Sequence, residues 1–411
     1  MDVASTAAML HTLQDPTGIP SHPLIFQVLM VFTWVPHILF VNISLGAALM
    51  GLYAFTKRQD PHWHLLSEAM TKVAKVGVSL LVVLGVAPLL FTQTIYDPQW
   101  YASNLLSASW VIGFIFTLTI GYLAWFTFYL KNHGDHAPGW IFWLGAFGLS
   151  MFLLDGFIMH ILAYQGLQPE KWVEWYTPGG HVDMSGNGIH AYELVRWGFF
   201  MAMSVTVFGA FLIAYGDYFK VRADRSPAYL AFARKLGSQI ALVGAVAQVV
   251  LLLGWMLDVP TALKIWTHPM SWLLLIYLGV LVAAFAVACG SDTQGQGYKL
   301  LTLSIGMAGL VAIFREVLRM AYMAPFNYSV LDYKVLWDVP SFVLFLLTIV
   351  GVGGLMGGFI ITLVYKAGRV SGVYQADATV SRLGVGSVAA TALWVAGFMA
   401  VGIWIWLSNN G

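Results

Sequence analysis

Four histidines, His37, His160, His190 and His268, sit within or at the ends of long apolar runs, and Met270 follows the last by two residues. Neutral imidazole and thioether are the groups that ligate haem iron along its axis, and ligands held at one level on different helices suit that task. At 1.5 Å per residue, His37 lies about 30 Å above Lys57, and His160 lies about 30 Å beyond Trp140, where its helix is expected to begin. The two are therefore expected to share a level, with His190, His268 and Met270 somewhat further out on the same side. A haem also needs cations for its propionates, and Arg196, Arg315 and Arg319 lie at or inside apolar runs. Arg315 and Arg319 are four apart and share one helix face, beside Glu316. Ionisable groups at such depth are costly, so each is a functional candidate. An interfacial histidine is also an ordinary helix end, the reading given to His62, His64, His133 and His136 in inner loops and to His11, His22 and His181 in outer ones.

The elements that carry these residues follow from composition. Of 411 residues 59% are apolar and only 9% charged, against about 25% charged in soluble domains. Runs long enough to cross about 30 Å of hydrocarbon fall near 24–55, 76–96, 106–130, 140–165, 191–217, 237–258, 269–290, 299–322, 341–365 and 385–407. An all-α polytopic bundle of about ten transmembrane helices, forming one membrane domain over 1–411, is expected. Lys57, Arg58, Lys72, Lys75, Lys131, Lys220, Arg222, Arg225, Arg234, Lys235, Lys299, Lys366, Arg369 and Arg382 fall in loops after odd-numbered runs. Lys171, Lys264 and Lys334 fall in the others. The positive-inside rule then places both termini outside. The first 22 residues lack Lys and Arg, so no cleavable signal peptide is expected and the first helix should stay.

Twenty Lys and Arg against nineteen Asp and Glu leave no basic surface for nucleic acid. The lone Cys289 excludes an internal disulfide, a four-Cys cluster and covalent haem attachment through Cys-x-x-Cys-His. No phosphate loop, dinucleotide fingerprint or His-Glu-x-x-His is present. Asp155 and Glu193 are the notable acids near membrane depth, open to Arg pairing, cofactor hydrogen bonding or proton transfer. Asp97 and Asp258 mark outer helix ends and receive no chemistry.

Val35 to Gly46, with Pro36-His37 and Leu39-Phe40-Val41, resembles the first helix of cytochrome bd oxidase subunit I, where a histidine ligates haem. Asp97 to Tyr101, Gln168-Pro169, Lys264 to Met270 and Glu316 to Arg319 resemble further stretches of that superfamily. The resemblance implies b haems, a quinone substrate and a His/Met pair on the fifth and seventh helices. It also implies a bacterial or archaeal cytoplasmic membrane. The chain departs from the family where oxygen is reduced: residues 76 to 130 hold no Glu, and their one acid is Asp97. Gly309 stands where another glutamate is expected, the quinol loop shrinks to about Asp258–Thr267, and a gapless match sets Arg196 near the family's fifth-helix histidine. The expected role is a haem b electron-transfer subunit of a respiratory complex, an oxidoreductase component with two b haems near the outer face. It would move electrons between membrane quinone and an outer partner, a c-type cytochrome or iron-sulfur subunit. A true bd-type quinol:oxygen oxidoreductase subunit and a proton- or solute-coupled transporter are the alternatives.

Overall fold

In hydrocarbon every backbone N–H and C=O must be satisfied within the chain, which turns long apolar runs into helices. The computed structural model describes residues 1–134 and 137–410, without the side chain of residue 410. His136, expected in an inner loop, lies outside the described residues.

The helices are α1 (Val3–Leu13), α2 (Pro23–Phe55), α3 (Pro61–Ile95), α4 (Asp97–Leu106), α5 (Ala108–Lys131), α6 (Ile141–Gln165), α7 (Trp172–Tyr176), α8 (Leu194–Phe219), α9 (Pro227–Asp258), α10 (Pro269–Gly290), α11 (Gly297–Met323), α12 (Val339–Leu346), α13 (Gly354–Ala367) and α14 (Ala378–Asn410). Among the described residues ten helical stretches are long and apolar enough to cross a membrane: α2, α3, α5, α6, α8, α9, α10, α11, the run from α12 to α13, and α14. The structure is the expected all-helical polytopic bundle.

Several helices outrun their apolar cores. α3 starts at Pro61 rather than near 76, because Asp60 accepts from the His62 and Trp63 amides at 2.8 and 3.2 Å and Pro61 takes the first turn. A 35-residue helix spans about 52 Å, well beyond the hydrocarbon, so its first turns carry charges the apolar reading left in a loop.

Two compact units divide the chain, one of Met1–Gly18, His22–Asp217 and Ala228–Lys334, the other of Ile19–Ser21, Tyr218–Pro227 and the residues from Val335 onward. In the larger unit the core lies among α8, α9, α10 and α11, where Phe199, Met203, Val207, Trp255, Leu274, Leu278, Phe285, Met307 and Phe314 are buried. The core-facing residues of α8 recur every three or four positions, one helical face. Small residues bring backbones together, as is usual where lipid supplies no hydrophobic drive. A Cβ on Gly209 would stand 2.3 Å from the Ala241 nitrogen, and one on Gly244 2.5 Å from that of Thr206. At the other end of α8, the buried Asp217 accepts from the Gly295 and Gly297 amides at 2.8 and 2.7 Å and so starts α11.

In the smaller unit α12 passes into α13 through a π-helical stretch, Leu347–Gly353. There the Trp394 indole of α14 donates to Thr348 Oγ1 at 2.6 Å. Tyr218 Oη donates to the Val364 and Tyr365 carbonyls at 3.1 and 3.0 Å, near the end of α13, where the Val364 carbonyl also accepts from the Gly368 amide at 3.0 Å.

Candidate functional site

A cavity in the larger unit is walled by Met30, Trp34 and His37 of α2, Gly85 and Pro88 of α3, Gln99 and Ser103 of α4, Met159 and Leu162 of α6, and Arg315, Glu316 and Arg319 of α11. It is partly open and has a volume of about 170 Å³.

His37 follows Pro36 inside α2. Its Nδ1 lies 2.9 Å from the Leu81 carbonyl; a carbonyl only accepts, so Nδ1 carries the proton and Nε2 keeps its lone pair. Gly85 makes room for the ring, since a Cβ there would stand 2.8 Å from His37 Cε1 and 3.0 Å from Nδ1.

The cationic side of the cavity is formed by half-buried arginines. The Arg315 guanidinium stands 4.2 Å from the Trp34 ring centroid, and that of Arg319 4.5 Å from the Tyr96 ring. Arg196 adjoins them across a second, smaller cavity with Trp255 and Leu318. Glu316 is the one carboxylate ion-paired to any of the three among the described residues, at 3.4 Å from Arg319. It also accepts from Gln27 at 2.9 Å and from the Tyr96 hydroxyl. Arg196 is 6% exposed, and its Nε and Nη1 are buried without a hydrogen-bond partner. Glu193 spends its carboxylate on the Val195 and Arg196 backbone amides.

Of the residues singled out in the sequence, the structure brings His37, Arg315 and Arg319 around one cavity and sets Arg196 on the next. His160, His190, His268 and Met270 line neither. His160 Nε2 accepts from the Glu193 amide at 3.0 Å, and its ring stacks between Phe157 and Tyr164. His190 stacks on Trp175 at 5.3 Å, with Nε2 3.3 Å from the Leu106 carbonyl. His268 begins α10, its Nδ1 accepting from the Met270 amide at 3.2 Å. Asp155 accepts from Thr117 and leaves Oδ2 buried without a partner. Among the described residues no group of three or more His, Cys, Asp or Glu gathers as a metal site.

Tyr96, Gln27 and Gly85 were not singled out in the sequence, and Gln99 entered only within the stretch from Asp97 to Tyr101. Gly85, about three turns before the start of α4, carried the one usable signal, as a helix-interior Gly commonly has a packing reason.

Just outside the spans, Asp97 accepts from Tyr333 Oη and from the Asp15 amide at 2.7 Å. Tyr333 and Tyr328 hydroxyls lie 2.7 Å apart. Burial raises the Asp97 carboxyl above its ordinary value, pushes Tyr328 up to about 12 and raises Tyr333 further.

No family model and no curated protein matches the sequence. Among solved structures the chain is similar to the bd oxidase from Geobacillus thermodenitrificans, with a TM-score of 0.61 at 13% identity over 84% of this chain and 98% of that one. At that identity the likeness is one of fold, so this polytopic helical bundle is structurally related to that of a bd oxidase.

Proposed function

We propose that the chain is a diverged member of the cytochrome bd oxidase subunit I superfamily, a haem b electron-transfer subunit of a respiratory complex in a bacterial or archaeal cytoplasmic membrane. The observation that carries this reading is one cavity joining a histidine with a free Nε2 to two half-buried guanidinium groups, Arg315 and Arg319, that have a single paired carboxylate, with the buried Arg196 adjoining. Buried, uncompensated charge is strongly unfavourable, so the arginines call for an anionic ligand, and haem propionates are anions. The residues fit the group: His37 Nε2 for iron, Gly85 for clearance, Arg315 and Arg319, with Arg196 adjoining, for propionates. Bound there, a b haem supplies a one-electron centre.

The protein's own part is positional. The Leu81 carbonyl fixes the His37 tautomer, and the arginines hold negative charge in a low-dielectric wall. His160 as a second ligand beside His37 would have to release the Glu193 amide. The second haem of the proposal uses His190 with His268 or Met270; ligation through His190 Nε2 would give up the Leu106 carbonyl and ligation through His268 Nδ1 the Met270 amide. Quinone is the proposed membrane substrate and a c-type cytochrome or iron-sulfur subunit the outer partner. The missing family glutamates favour electron transfer over oxygen reduction.

The test is haem content. The purified protein should carry b-type haem, and His37→Ala should remove about half of it while the chain still inserts. Full haem retention in His37→Ala would remove His37 from the site.

A further inference from the structure

An electron entering a low-dielectric cavity is costly unless positive charge follows it. The cavity wall offers one carboxylate to receive a proton, Glu316, with the Tyr96 hydroxyl donating to it. Beside this pair runs a second set of buried hydroxyls. Asp97, 6% exposed, lies at the end of α3 against the Asp15 amide. Tyr333 donates to it, Tyr328 lies 2.7 Å from Tyr333, and the Tyr328 ring stacks on that of Tyr96 with centroids 6.3 Å apart.

We propose that Asp97, Tyr333 and Tyr328 form a proton conduit joining the membrane boundary at the end of α3 to the Tyr96–Glu316 pair on the cavity wall. The step is a relay. Each hydroxyl oxygen accepts a proton from one neighbour as it gives its own to the next, so no tyrosine is left charged, and Asp97 exchanges the last proton with boundary water. The interval between Tyr328 and Tyr96–Glu316 is where Gln99 stands. Its Nε2 donates to Met323 Sδ at 3.1 Å, its side chain lines the cavity near Tyr328, and its Oε1 is buried without a hydrogen-bond partner. A water donating to Gln99 Oε1 completes the path in a polar and roomy place. The high tyrosine values keep both hydroxyls protonated, and the raised Asp97 carboxyl holds a proton at less acidic pH than an exposed one. A cluster that merely held the segment in place would not need an orphaned amide oxygen between it and the cavity.

The conduit's use in charge compensation rests on the haem reading, but the path exists in the protein alone and is tested without the cofactor. Rapid-mixing infrared spectroscopy of the purified full chain, moved from H2O to D2O at constant pH, follows exchange of the Tyr96 hydroxyl. The band is assigned by its loss in Tyr96→Phe. Tyr333→Phe and Asp97→Asn should each slow that exchange tenfold or more, while Tyr122→Phe, whose hydroxyl pairs with Ser79 elsewhere, leaves it unchanged. Equal rates in wild type, Tyr333→Phe and Asp97→Asn would overturn the conduit, as would equal slowing by Tyr122→Phe. If Tyr333→Phe fails to fold, Tyr328→Phe takes its place. Absence of a Soret band, by contrast, would remove the haem reading and leave the exchange result standing.

Discussion

The His37 Nδ1 atom lies 2.9 Å from the Leu81 carbonyl oxygen, and this contact decides which imidazole nitrogen remains free. It depends on Gly85, one turn further along α3, having no side chain. Gly85→Ala should therefore act like a ligand mutation, lowering haem content by about half with the protein still folded and inserted. Pyridine haemochromogen assay beside a thermal melt checks this. Unchanged haem in a folded Gly85→Ala variant would show that the ring tolerates the crowding.

Arg315 and Arg319 should set the potential of a bound haem. Adding an electron is favoured by nearby positive charge, and a unit charge at about 8 Å in an effective dielectric of about 20 is worth about 2 kcal/mol. Replacing both by Gln should lower a midpoint potential by roughly 150–200 mV, since a tenfold one-electron change is 59 mV. Redox titration reads the shift. No shift would place the two arginines away from the haem.

Asp217 holds two amides at the start of α11 from a buried position. Bonds to a charged group contribute about 1.5–3 kcal/mol each, so Asp217→Ala should cost roughly 3 kcal/mol or more and lower the melting temperature. Asp217→Asn, which keeps an acceptor, should cost less. Equal stability of wild type and Asp217→Ala would contradict the capping role.

Asp97 has a definite pH signature. Its carboxyl is raised in the folded protein by burial, so the native state binds the proton more tightly than the unfolded chain. Its contribution to stability is present below the ordinary carboxyl value and is lost as pH rises through the raised one. Thermal melts of Asp97→Asn should show a weaker fall in stability over that window than wild type. An identical slope would assign the pH dependence to other groups.

Ten candidate spans and the positive-inside rule predict both termini outside. A phosphatase fusion after residue 411 should be active and a cytoplasm-dependent fluorescent reporter dark; the opposite pair of signals would invert the topology.

What was legible in the sequence followed from hydropathy and charge: ten apolar stretches, and Arg315 with Arg319 on one face of α11. The starts of α3 and α9 were not, because polar first turns continue a helix past the hydrocarbon without changing its backbone hydrogen bonding. Depth along a helix was readable from a 1.5 Å rise, but direction was not. His160 sits near the end of α6, five residues before Gln165, and its Nε2 is turned to the Glu193 amide, a residue 33 positions away. The Tyr96–Glu316 contact joins residues 220 apart, and only tertiary packing reveals it. Asp97 reads as a plain helix-end acid until Tyr333 arrives from after α11.

The central claim is that His37 faces a haem held by Arg315 and Arg319, and the most direct measurement is the absorption spectrum of the purified full chain. The account predicts a Soret band, a b-type pyridine haemochromogen near two haems per chain, and loss of about half of it in His37→Ala. A folded, purified protein with no Soret band would contradict it.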